Sequence, residues 1–356
     1  MMITISLCMI VKNEEDVIAR CLESVKDIVD EIIIVDTGST DQTKEIVKTF
    51  TDKVYDFEWI NHFGKARNFS FSKATKDYQM WLDADDIITP EDREKILELK
   101  KTLDPHTDVV TFKYHTHFDA AGNPVLTSTR ERLFKRENHF QWNDAIHEYI
   151  LMQGHIIHSD IAISHKKNRT SGDRNLKIYQ SMVADGKEFS PRETYYYARE
   201  LMDHGKDEEA ITQFTKFLDD GFGWFEDNIA SCFNLCRCYK RLDEKEKILP
   251  ILFKSFEYDT PRAEICCEIG YYYKELEDYH KAIFWFELAS NLVKNSTGFI
   301  LNDYWDYIPA IELTVCYGQM GQLEKSYHYH QRSAQYKPNS NAVAHNEAFF
   351  EKNGFV

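Results

Sequence analysis

The chain has 356 residues, 43% hydrophobic and 14% aromatic, and a formal net charge of −16 at pH 7. That length accommodates two domains with filled cores, and so acidic a chain is repelled by nucleic acid and anionic lipid unless it carries a basic patch, of which there is no sign. No run of about eighteen apolar residues occurs, so no stable membrane insertion is expected. Residues 3–11 read as a strand, not a signal peptide. The eight cysteines (Cys8, Cys21, Cys232, Cys236, Cys238, Cys266, Cys267 and Cys316) are spaced as neither a zinc ribbon nor a disulfide framework. Reduced thiols and a cytoplasmic location are expected.

From Ile3 to Val11 the chain is almost continuously apolar, as in a strand buried on both faces. Asp16 to Val25 carries Val17, Ile18, Cys21, Leu22 and Val25 on one helical face. A second buried strand runs from Glu31 to Asp36 and stops at Thr37-Gly38-Ser39. Another amphipathic helix follows through Ile46, Val47 and Phe50, then a short strand near Lys53 to Phe57. Strand alternating with helix predicts an α/β domain with a mostly parallel, doubly wound sheet, whose ligands sit beyond the carboxyl ends of the strands. Lys12-Asn13-Glu14, Asp36-Thr37-Gly38 and Asp83-Ala84-Asp85 all fall on that edge.

Met80-Trp81-Leu82 breaks into Asp83, Asp85 and Asp86. Aspartates so close repel one another and disfavour a strand. They suit a hard divalent cation that also carries phosphates. A helix cap at Thr89-Pro90 accounts for the residues after the cluster but leaves Asp83 and Asp85 unexplained. A charged helix to about Leu103, a strand over Asp108 to Tyr114, and a hairpin or loop around Gly122-Asn123-Pro124 follow. Thr129 to Arg136 reads as a strand with Arg130 and Arg132 on one face. A further strand, Ile161 to His165, leads into the polar run Lys166 to Asn175, in which Gly172 suits a mobile lid.

Four stretches in order resemble the motifs of glycosyltransferase family 2, inverting nucleotide-sugar enzymes of the Rossmann-like GT-A fold. They are residues 8–15, 33–41, Phe63-Gly64-Lys65-Ala66-Arg67-Asn68 and 81–86. The resemblance implies a donor site bordered by Val11, Asn13, Glu14, Asp36, Gly38, Lys65, Arg67, Asp83, Ala84 and Asp85. Asp36 would meet the base or ribose and Arg67 would lie near the pyrophosphate. Asp83 and Asp85 would form the Asp-x-Asp that holds ribose and Mn²⁺ or Mg²⁺, with a UDP-sugar the usual donor. The residues agree with those roles: Gly38 lets a turn pass close to a ligand, and Lys65 and Arg67 offer cationic donors to phosphate oxygens. Trp142 followed by Ile146-His147-Glu148 is similar to the tryptophan and His-Glu motif of repeat-bearing members. Glu148, or His147, is thereby a candidate base, with Asp144 behind them; a structural His147–Glu148 pair is the alternative. His165 is a candidate third metal ligand, and Arg169 and Arg174 are candidates to close over the pyrophosphate.

From about Pro191 the sequence turns helical and periodic. Ile269-Gly270, Tyr273, Ala282, Phe286 and Ala289 fit the tetratricopeptide pattern of paired helices in units of about 34 residues. The same frame catches Leu201, Ala210 and Phe214, then Leu235, Tyr239 and Leu252, then Leu313, Tyr317 and Pro338. Equivalent positions Ala210, Ile248, Ala282 and Ser326 are 38, 34 and 44 residues apart, so the array is degenerate, with an insertion near Lys294 to Trp305. The expected organisation is a GT-A domain over 1–175, a linker helix and lid over 176–190, and an all-α repeat domain over 191–356. That combination resembles the bacterial peptide S-glycosyltransferases. It implies a peptide or protein acceptor at Cys or Ser and a homodimer through the repeats. A transferase building cell-wall or lipopolysaccharide glycans, and a repeat scaffold without catalysis, are the competing readings.

Overall fold

The computed structural model describes residues 2–118, 122, 124–166, 172–294 and 301–355. The chain divides into two compact units, with the division between Ile178 and Tyr179.

The first unit opens with β1 (Ile5–Val11), α1 (Ile18–Val25), β2 (Glu31–Asp36), α2 (Thr43–Lys48), β3 (Val54–Asp56), α3 (Phe63–Phe71) and β4 (Tyr78–Trp81). It continues through β5 (Asp86–Ile87), α4 (Pro90–Thr102), β6 (Val109–Phe118), β7 (Pro124–Lys135), β8 (Trp142–Asn143), β9 (Tyr149–Ile150) and β10 (Ile156–His165), and the division falls within α5 (Arg174–Ala184). One eight-stranded sheet has the order β3-β2-β1-β4-β7-β6-β10-β5, and β8 and β9 form a separate pair. Alternation along β1 sends Ile5, Leu7, Met9 and Val11 to one core and Cys8 to the other, as a strand covered on both faces must do.

The sheet is parallel across β3, β2, β1 and β4 and mixed beyond. β6 and β7 form an antiparallel hairpin, so β7 enters antiparallel beside β4, while β10 returns parallel to β6. The acidic turn then folds back on β10: β5 pairs antiparallel to it, setting Asp86 opposite His165. Thr89 does cap α4, its hydroxyl accepting from the Asp92 N–H at 3.2 Å with Pro90 in the first turn. The cluster and the cap coexist.

Glu31 ties strands across the sheet. Its buried carboxylate accepts from Ser6, Lys53 and both Thr75 donors. Burial alone would raise its pKa; Lys53 and the hydroxyl and amide donors outweigh that and lower it to about 2. A depressed carboxylate stabilises the fold above its unfolded value, near 4.5, and loses that contribution as pH falls toward 2. Glu31→Gln is therefore expected to cost about 2 kcal/mol at neutral pH and to flatten the acid limb of an unfolding curve between those values. An unchanged acid limb would show that Glu31 does not carry it.

The second unit holds α6 (Pro191–Asp203), α7 (Asp207–Asp220), α8 (Phe225–Arg241), α9 (Ile248–Lys254), α10 (Ala263–Glu275) and α11 (Tyr279–Asn291). It ends with α12 (Asn302–Trp305), α13 (Tyr307–Gln319), α14 (Leu323–Tyr336) and α15 (Asn341–Lys352). A full capping box at Ser190 and Glu193, with Pro191 at the first position, starts α6. The pairs α6–α7, α10–α11 and α13–α14 pack helix on helix. Small residues allow the close crossings: a Cβ on Gly270 would stand 2.9 Å from the Phe286 ring. Leu201, Ala210, Phe214, Ala282, Phe286, Ala289 and Leu313 are all fully buried. Tyr195, Phe214, Phe217, Phe286, Trp305 and Phe350 are buried in this unit, whereas Phe222, Trp224, Phe284 and Phe349 are exposed. Residues 295–300, within the expected insertion, lie outside the described residues.

Candidate active site

The turns after β1 and β2 are built as one piece. Asn13 takes a positive φ of 56°, which Asn tolerates better than most residues, and Gly38 one of 100°. The Asn13 N–H donates to Ser39 Oγ at 2.9 Å, Asn13 Oδ1 accepts from the Thr40 N–H at 2.8 Å, and the Glu14 N–H donates to Thr43 Oγ1 at 2.7 Å. The Val11 carbonyl accepts from both the N–H and the hydroxyl of Thr37. Asp36 ends β2 in this frame, 2% exposed. Its Oδ1 accepts from the Gly38 and Ser39 N–H groups at 2.9 Å each. Its Oδ2 is buried without a hydrogen-bond partner.

Across the rim, β4 runs into the turn that carries the aspartates. Asp86, fully buried, organises it. Oδ2 accepts from the Asp83 N–H at 3.0 Å and from Arg132 Nη1 at 3.2 Å. Oδ1 accepts from the Tyr114 hydroxyl and lies 3.0 Å from His165 Nδ1. Asp85 Oδ1 stands 3.1 Å from the same nitrogen. Burial would lower the His165 pKa, but the hydrogen bonds to Asp85 and Asp86 outweigh it and push it up to about 9. Burial likewise opposes the charge on Asp83, and Arg67 and Arg132 overcome it, holding that carboxyl at about 2.

Oxygens of Asp83 and Asp86 and a ring nitrogen of His165 lie within 4.8 Å of one another. Carboxylate oxygens with one imidazole fit Mn²⁺ or Mg²⁺. Asp86 accepts from four groups, Asp83 Oδ1 accepts from Arg67 Nη2, and His165 Nδ1 faces Asp85 as well as Asp86, so each member of the cluster also has a protein partner.

α3 connects this turn to the loop before β9. Gly64 is required by contact, since a Cβ there would fall 2.5 Å from the Asp144 carbonyl. The Phe63 N–H donates to the Ala145 carbonyl at 2.8 Å, and Asn68 clamps the Trp142 backbone through both amide atoms. Arg67 lies between: Nη2 donates to Asp83 Oδ1 at 2.8 Å and Nε to Glu148 Oε1 at 2.6 Å. Its guanidinium stacks 4.7 Å from the Trp81 ring and 4.9 Å from Trp142. Asp144 and His147 in this loop both have positive φ.

Arg130 and Arg132 part company, contrary to the expectation of a shared face. A bulge opposite Val110 and Thr111 breaks the two-residue period, so Arg130 is exposed and Arg132 fully buried. Arg132 stacks 3.7 Å from the Trp81 ring and 4.4 Å from Tyr114, and donates to the Trp81 carbonyl at 3.1 Å. Sequence reasoning missed it as part of the site, because the bulge that turns it inward is set by the pairing of β7 with β6. Because Arg132 pairs with a fully buried carboxylate, Arg132→Met is expected to cost about 3–5 kcal/mol by leaving Asp86 uncompensated. Amide exchange along β4 and β7 would read the loss, and unchanged protection would refute it.

Lys65 is exposed on α3, with no place in this cluster. Arg174 is exposed and its guanidinium lies 4.6 Å from the Phe63 ring; Arg169 lies outside the described residues. A cleft of about 530 Å³, lined by Asp108, His139, Gln141, Gln153 and Gly154 among others, contains none of the site residues. No described helix is long and apolar enough to cross a membrane, and all eight cysteines are buried free thiols.

Residues 6–154 match the profile of glycosyl transferase family 2. The first unit is a family 2 glycosyltransferase domain. The span covers the rim turns, the aspartate cluster, Arg67 and Glu148. The chain is 29% identical over 231 residues to the SPbeta prophage-derived glycosyltransferase SunS of Bacillus subtilis, covering 61% of this chain and 54% of that protein. It is 36% identical over 149 residues to a TPR repeat-containing protein of Synechococcus elongatus, covering 42% and 36%. An uncharacterized glycosyltransferase of Rickettsia typhi is 41% identical over 92 residues, 26% and 31% of the two chains. The chain thus spans about half the length, or less, of these curated relatives. Among solved structures, MamA from Desulfovibrio magneticus is similar at 13% identity and a TM-score of 0.37, over 48% of this chain and 87% of that one.

Proposed function

We propose that this chain transfers a sugar from a nucleotide-sugar donor, a UDP-sugar such as UDP-glucose or UDP-N-acetylglucosamine, to a peptide or protein acceptor, with inversion at the anomeric carbon. The observation that carries the reading is the Asp36 carboxylate. A buried oxygen without a donor is costly, and Oδ2 of Asp36 is one. It stands on the same strand-end rim as Asp83 and Asp85, where a base N–H or ribose hydroxyl would satisfy it. Asp83, Asp85 and His165 would hold Mn²⁺ or Mg²⁺, which supplies charge neutralisation for a departing nucleoside diphosphate. Glu148 would take the proton from the acceptor as the sugar carbon is attacked. Single displacement with one base inverts the centre. The repeat unit supports a peptide or protein acceptor, because stacked helix pairs offer extended binding surfaces.

The test is to incubate the chain and Mn²⁺ with UDP-glucose, UDP-N-acetylglucosamine and GDP-mannose. Nucleotide release is followed first, then mass addition to peptides containing Cys or Ser. Release from a UDP-sugar and an adduct of the mass of the transferred hexose or N-acetylhexosamine are expected. No binding and no release with any donor would end the reading.

A further inference from the structure

We infer that Arg67 is a positioning residue that holds the donor-side Asp83 and the acceptor-side Glu148 at a set separation, and is not a ligand of the donor's phosphates. The inference rests on the glycosyl-transfer reading. A guanidinium that cradles pyrophosphate needs its N–H edge open to the ligand. In Arg67 the Nε and Nη2 groups are committed to Glu148 and Asp83, and the side chain is 8% exposed. The Trp81 and Trp142 rings stack against the guanidinium.

The backbone on each side of Arg67 is held from elsewhere. Asp83 is fixed through its N–H to Asp86, and the loop leading to Glu148 is fixed to α3 through Phe63, Gly64 and Asn68. A rigid, planar cation between two carboxylates whose backbones are anchored sets the distance between them. It also keeps like charges on the two sides of the site from repelling each other apart. A proton acceptor displaced by about 1 Å loses about 100-fold in rate, so the bridge acts on turnover through Glu148, not on donor affinity.

Arg67→Lys keeps the charge and loses the fork. The readouts are calorimetric binding of UDP with Mn²⁺ and UDP release from saturating UDP-glucose with water as acceptor. UDP affinity is expected to stay within about threefold of wild type while saturated turnover falls about 100-fold. In a Glu148→Gln background the lysine substitution should add less than about threefold, because the two residues act as one unit. A loss of UDP affinity of about tenfold or more, saturated turnover within about threefold of wild type, or losses that multiply in the double variant would each overturn the inference. Arg67→Gln takes the place of the lysine variant if circular dichroism shows that the latter is unfolded. A wild-type chain that neither binds UDP nor releases it from the sugar removes the glycosyl-transfer reading and this inference together. An active wild type with adverse variants removes this inference alone.

Discussion

Glu148→Gln is expected to lower turnover by about 10²–10⁴-fold, the usual range for a lost general base, with UDP affinity unchanged. The glutamine is isosteric, and its Oε1 can still accept from Arg67 Nε, so the α3 bridge should survive and the loss should be chemical. Asp144, the third candidate on the same loop after His147, has a positive φ and a carbonyl against Gly64 that give it a part in the loop's shape. Asp144→Asn is the control. If it, and not Glu148→Gln, abolishes UDP release from UDP-glucose, the base has been misplaced by one turn of the loop.

Asp85→Asn should weaken Mn²⁺-dependent UDP binding by more than about 100-fold, beyond the 10–100-fold typical of groups one layer out from a metal. Asp86→Asn should behave differently. Both Asp86 oxygens are already taken by Asp83, Arg132, Tyr114 and His165, so the amide disturbs packing first and ion affinity second. Manganese binding followed by electron paramagnetic resonance, alongside thermal melts, separates the two. Should Asp86→Asn lose the ion as completely as Asp85→Asn, Asp86 is a ligand and the division of labour among the three aspartates is wrong. His165 responds to both, since its Nδ1 faces Asp85 and Asp86 at nearly equal distance.

The apolar runs of β1 and β2 and the abrupt polar ends after Val11, Asp36 and Leu82 were readable residue by residue, because burial on two faces leaves no polar position to hide a strand end. The spacing of Gly270, Ala282 and Phe286 was equally plain, since a helix crossing needs a small residue at a fixed interval. Arg67 was harder. Its neighbours in sequence suggested a cation for phosphate, and nothing local reveals that its fork is used by carboxylates 16 and 81 residues away. Arg132 was harder still, because the bulge that turns it inward depends on its pairing partner, β6, and leaves no mark in β7 itself.

Local periodicity and strand-end chemistry thus determined that an α/β unit with an acidic rim precedes a helical array, since hydrophobic spacing is a property of each segment alone. Which carboxylate is spent on structure, which arginine bridges and which lies buried, and how the β5–β10 pairing sets Asp86 against His165 were decided only by tertiary contacts. Those outcomes depend on partners far apart in the chain, and a side chain's charge does not specify which opposite charge it will meet.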